Sequence, residues 1–116
     1  MKRRRMLYLI SQPPGRGALA REMLDALLVG AVFDQEVSVL FVDDGIYQLL
    51  GDAQSSHAIA RSFTALPTYD VSSIYVASDS LTRRHIKRDA LIIAAKPLTR
   101  AGVRKLIAAQ EVVLND

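Results

Sequence analysis

The sequence predicts an α/β protein with three layers: a mostly parallel, five-stranded sheet carrying helices on both faces. Three observations lead there. Short apolar runs such as Met6–Ile10 and Val37–Val42 show little polar alternation, as strands covered on both faces do. Segments of helical periodicity lie between them, the arrangement that parallel crossovers demand. Clusters of Pro, Gly and Asp punctuate the two kinds of segment.

The first strand is Met6 to Ile10, followed by a turn-rich loop, Ser11 to Arg16, with Pro13, Pro14 and Gly15 as breakers. A helix is predicted over Gly17 to Val32. Leu19, Met23 and Leu27 recur every four residues there, and Ala20, Leu24 and Ala31 widen the apolar stripe. Val37 to Val42 forms the second strand and ends at Asp43-Asp44-Gly45. A short amphipathic turn, Ile46 to Leu50, then leads into a polar loop at Gly51 to Ser56. His57 to Leu66 reads as a helix closed by Pro67. Ser73 to Ala77 is the third strand, and Leu81 to Ile86 a brief helix. The apolar run Ala90 to Ala95 supplies the fourth strand, stopped at Lys96-Pro97. Thr99 is the expected N-cap of a helix through Ala109. Glu111 to Leu114 makes the last strand. In such sheets, function gathers in the loops beyond the strands' carboxyl ends, here residues 11–16, 43–48, 77–80 and 96–98.

Bulk properties narrow the function classes. The 116 residues favour one domain, taken as 1–116, and half of them are hydrophobic, which argues against disorder. No apolar run reaches the ~18 residues needed to cross a bilayer. Lys2-Arg3-Arg4-Arg5 has the charge of a signal peptide's start. The apolar stretch behind it, however, stops at Ser11-Gln12-Pro13-Pro14, too short for one. A cytoplasmic protein is expected. Net charge is +3 and the pI is near 9.5. The N-terminal basic cluster lacks the interleaved aromatics of an RNA-binding motif, so direct contact with nucleic acid is not expected. With no cysteine in the chain, disulfides, thiolate metal sites and thiol nucleophiles are excluded together.

Individual motifs are weak. Gly15-Arg16-Gly17-Ala18-Leu19-Ala20 fits G-x-G-x-x-A at a helix entrance. Ser11 to Pro14 nevertheless separate it from the strand end, and two prolines remove amide donors that a phosphate cradle would use. Leu40-Phe41-Val42-Asp43-Asp44, Asp79 and Ala94-Ala95-Lys96-Pro97 resemble parts of a phosphoacceptor receiver domain, but out of order. Ser78 and Ser80 lack a nucleophile elbow, and neither His57 nor His85 has a sequence context suggesting an acid partner. No catalytic, cofactor or metal residues are assigned. A nucleotide-binding module using Gly15 to Ala20 and a degenerate receiver-like signalling domain remain the alternatives.

Four segments carry a family resemblance. They are Arg21 to Leu28, Asp44 to Leu50, Leu66 to Val71 leading into Ile74-Tyr75-Val76, and Ser80-Leu81 followed by Arg83-Arg84. With the ending Val112 to Asp116, these resemble, in order, the TusC/DsrF-type subunits of the DsrE/DsrF-like sulfur-relay family. The resemblance implies a heterohexamer with homologous TusB/DsrH-like and TusD/DsrE-like subunits. It further implies service in 2-thiolation of the tRNA wobble uridine, or in dissimilatory sulfur oxidation. The family's sulfur-carrying cysteine lies on the loop after the third strand, a position filled here near Ala77, so this chain is expected to be a non-catalytic, cofactor-free subunit. The family's usual Arg-Gly after the short helix is Arg84-His85 here, which leaves the geometry of that turn open. Candidate subunit contacts are Tyr47, Gln48, Leu49, Leu50, Tyr69 and Ser78, with Phe63 equally suited to the core.

Overall fold

The computed structural model describes residues 4–13, 36–50 and 73–115. The helices expected at 17–32 and 57–66, the polar loop at 51–56, and with them Gly15, His57, Phe63 and Tyr69, lie outside the described residues.

Five strands form one sheet: β1 (Arg5–Ile10), β2 (Glu36–Phe41), β3 (Ser73–Ala77), β4 (Lys96–Leu98) and β5 (Val112–Asn115). Their order is β4-β3-β2-β1-β5, and every described strand pair is parallel. Two helices are described, α1 (Ser78–Arg83) and α2 (Arg100–Ala108), besides 3-10 turns at Asp43–Leu49 and Arg88–Ala90. Thr99 caps α2 as expected, its hydroxyl accepting the Gly102 amide at 3.1 Å.

Side chains alternate across the sheet. On one face Tyr8, Ile10, Val39, Phe41 and Val76 pack with Ile46, Leu49 and Leu81 into the main core. Ile86, Leu91, Ile93 and Ala95 close over its margin. On the other face Leu7 and Leu40 are fully buried, and α2 brings Val103 and Ile107 over Leu9, Ala77 and Leu98. Central parallel strands need cover on both faces, which is why their sequences run apolar without a break.

Three expectations need correction. The run Ala90 to Ala95 is not the fourth strand. Only Leu91 makes an isolated bridge, to Leu50, while Leu91, Ile93 and Ala95 turn their side chains onto the core face. The fourth strand is Lys96–Leu98, in register with Tyr75–Ala77, so residues 96–98 are strand rather than loop. Pro97 is tolerated because β4 is the edge of the sheet. The brief helix starts at Ser78 rather than Leu81, directly off β3.

Two backbone features fix the carboxyl end of the sheet. A Cβ on Gly45 would overlap the Ile10 carbonyl group, so the turn after β2 can lie against the end of β1 only with glycine there. After α1 the chain closes a Schellman motif: the His85 amide donates to the Thr82 carbonyl and the Ile86 amide to Leu81, at 3.2 and 3.0 Å. His85 has φ 54°, the left-handed conformation that this motif usually gives to glycine. The departure noted at Arg84-His85 therefore leaves the turn closed, with a side chain at the strained position.

Three outcomes follow from this geometry. Gly45→Ala is expected to destabilise the chain by about 3 kcal/mol or more, measured by urea unfolding, because backbone rather than a movable side chain blocks the methyl. His85→Gly should raise stability by about 0.5–1 kcal/mol, since relief of roughly 1–2 kcal/mol of left-handed strain exceeds glycine's added unfolded-state entropy. Burial raises the Tyr8 phenol above its ordinary value of 10.0. The unfolded chain then ionises first, so Tyr8's contribution is intact below pH ~10 and is lost as pH rises through the folded value. Melting temperature should fall more steeply above pH ~10 in the native protein than in Tyr8→Phe.

Candidate functional site

The carboxyl ends of β1 to β4 meet the Asp43–Leu49 turn, α1 and the start of α2. Ala77 ends β3 and is the N-cap residue of α1, 8% exposed. It opens onto a cavity of about 470 Å³. Leu9, Val42, Leu98, Val103 and Ile107 form the apolar lining, and Asp43, Asp79, Arg100 and Arg104 the charged part.

A hydrogen-bond frame holds this end together. Ser80 is buried, and its hydroxyl accepts the Asp43 amide at 2.9 Å, which supports the positive φ of 50° at Asp43. Arg84 is the clamp. Its Nε and Nη2 donate to Asp44 Oδ1 at 3.1 and 2.9 Å, and its Nη1 donates to the Ser80 carbonyl at 3.2 Å. The guanidinium carbon also stands 6.0 Å from the Tyr47 ring centroid, at the outer range of a cation–π contact. One side chain thus ties the turn after β2 to the helix after β3. Asp79 Oδ2 takes Arg83 at 3.2 Å and Arg100 at 3.1 Å, joining α1 to α2. These last two pairs are exposed and add little stability.

Among the described residues the cavity lining offers apolar shape and a charge pair. Ala77 presents only a methyl group to the cavity, and the Ser80 hydroxyl is buried and engaged. The receiver-like arrangement does not form. Lys96 opens β4 in register with Tyr75, at the amino end of that strand, whereas Asp79 follows the carboxyl end of β3 and is paired with arginines.

The sequence-chosen contact residues separate. Tyr47 is 37% exposed; Leu50 and Ser78 are half-buried. Gln48 and Leu49 are fully enclosed by the chain itself, with Gln48 Nε2 donating to the Gln12 carbonyl at 3.2 Å. From this face they offer a partner no surface. Sequence reading passed over Arg84 as a clamp and Gly45 as a close approach. The sole signal for Gly45 was its place directly after a strand-ending Asp-Asp pair.

Comparisons with known proteins agree with this geometry. A protein of Pseudomonas aeruginosa named Protein TusC homolog is 33% identical over 114 residues, covering 95% of this chain and 96% of that protein. A Vibrio parahaemolyticus protein of the same name is 30% identical over 104 residues, 86% of this chain and 88% of that one. Intracellular sulfur oxidation protein DsrF of Allochromatium vinosum is 38% identical over 93 residues, 77% of this chain and 68% of that protein. The crystal structure of the ychN protein from E. coli shares the fold at TM-score 0.82 and 12% identity, covering 97% of this chain and 99% of that one. The model of the DsrE/DsrF-like family matches residues 4–115, and the chain belongs to that family.

Proposed function

We propose that this chain is a non-catalytic, single-domain subunit of a cytoplasmic, heteromeric sulfur-relay complex that supports 2-thiolation of the tRNA wobble uridine. The observation that carries the reading is a strand-end cavity lined in part by Ala77, in a chain without cysteine. Persulfide chemistry needs a thiolate to accept and release sulfur. A methyl group can do neither. Sulfur then travels on a homologous TusD/DsrE-like subunit, and this chain, with a TusB/DsrH-like subunit, holds that neighbour in place. The likeness to a TusC homolog is supported by a match over 96% of that protein, against 68% of DsrF. Tyr47, braced by Arg84 and exposed beyond the strand ends, is the foremost contact residue, followed by Leu50 and Ser78; Tyr69 belongs to the same proposal.

The test is purification of the tagged full chain from its native host under gentle conditions, with mass spectrometry of what accompanies it. Two small homologous chains, one bearing a cysteine, are expected. Deletion of the gene should also remove 2-thiouridine from bulk tRNA, read by nucleoside mass spectrometry. A chain that purifies alone as a monomer, or unchanged thiolation in the deletion strain, would sink the reading.

A further inference from the structure

The cavity beside Ala77 has one wall that the subunit role leaves unused. Four residues of α2 line it, Arg100, Val103, Arg104 and Ile107, spaced three and four apart on one stripe of the helix. The apolar surface of Val103 and Ile107 continues across Leu9, Val42 and Leu98. The two arginines lie one turn apart beside this apolar wall. At about 470 Å³ the cavity has the size of a small-molecule site. It also lies at the carboxyl ends of parallel strands, where such sheets hold their ligands.

Charge selects what can enter. Asp79 Oδ2 accepts from both Arg83 and Arg100, and Arg100 reaches it through Nη2 alone. Arg104 has no ion-pair partner among the described residues, and Asp43, the second acid on the lining, pairs with neither arginine. Arg83, Arg100 and Arg104 thus stand against Asp43 and Asp79, an excess of one positive charge. Like charges one helical turn apart destabilise each other, a cost that an oxyanion between them removes. A guanidinium is weakly hydrated, and its planar fork grips two oxygens of one head group. A second negative charge on the ligand would face Asp43 with no cation left to balance it.

We infer that this cavity binds a small amphiphilic anion. Its single carboxylate- or sulfonate-like head lies against Arg100 and Arg104, and its apolar body against Val103, Ile107 and Leu98. The site goes beyond the subunit role and does not depend on it, since a chain that purifies alone still carries the cavity.

The experiment uses the isotope-labelled full chain and two probes, anilinonaphthalene sulfonate and N-phenylnaphthylamine, which share an apolar body and differ in the sulfonate. The sulfonate should bind saturably and shift the amide signals of Ala77, Leu98, Val103 and Ile107. The uncharged probe should bind about tenfold more weakly, a gap that narrows as salt rises. Arg104→Ala should weaken the sulfonate about tenfold, through loss of a hydrogen bond to a charged group, and leave the uncharged probe unchanged. Val103→Trp, and separately Ile107→Trp, should block both probes by filling the cavity, with circular dichroism unchanged. Arg88→Ala, outside the cavity, should bind as the native chain does. Equal affinity for the two probes, no binding of either, amide shifts centred outside the lining, or full binding by both tryptophan variants would overturn the inference. So would binding to the isolated chain that is lost in the co-purified assembly, because a neighbouring subunit then fills the cavity.

Discussion

The approach of Gly45 to the Ile10 carbonyl is the constraint on which the carboxyl end of the sheet depends. With no side chain there, the chain leaving β2 can fold back over the end of β1 instead of passing outside it. That path places Asp43 at positive φ, where its amide meets the Ser80 hydroxyl, and Asp44 where Arg84 can hold it. It also drops Ile46 and Leu49 into the core and leaves Tyr47 facing out. Removing two buried aliphatic side chains from water is worth roughly 3–6 kcal/mol in total. The ion pair is half in water on the Asp44 side and counts for less. Burial therefore sets the path of the turn, and Arg84 fixes its final position relative to α1.

Much of this was legible in the sequence, for reasons that differ by element. The first three strands are continuous apolar runs bounded by turn residues, and their limits were read to within a residue because burial on both faces leaves no alternative pattern. The fourth was misplaced. Ala90 to Ala95 is more hydrophobic than Lys96–Leu98, yet register with β3 decides which residues join the ladder. Hydrophobicity reports burial, and Leu91, Ile93 and Ala95 are partly buried against the core without being strand. Edge strands are also where polar residues and proline belong, so the true strand looked like a loop.

The site was legible in location but not in detail. Strand ends as the place to look followed from topology alone; Ala77 closes β3 there, but residues 78–80 are helix rather than the expected loop. What escaped were relations between residues distant in sequence. Nothing local marks Arg84 as the partner of Asp44, 40 positions earlier, or encloses Gln48 beneath Gln12. Aromatic and long polar side chains beyond a strand read alike as contact candidates. Only the turn's 3-10 winding separates Tyr47, pointing out, from Gln48 and Leu49, pointing in.

His85 shows how tightly the strand-end geometry is held. A residue forced to φ 54° where glycine is at ease costs roughly 1 kcal/mol, and the fold bears that cost while keeping both Schellman hydrogen bonds and the Ile86 contact behind Leu81. The turn ends α1 and sets Arg84, its C-cap residue, against Asp44 and Tyr47. Tyr47, held beside the Arg84 guanidinium, has little conformational freedom left to lose. The strained turn, the arginine clamp and Tyr47 thus form one connected frame that fixes the carboxyl end of the sheet.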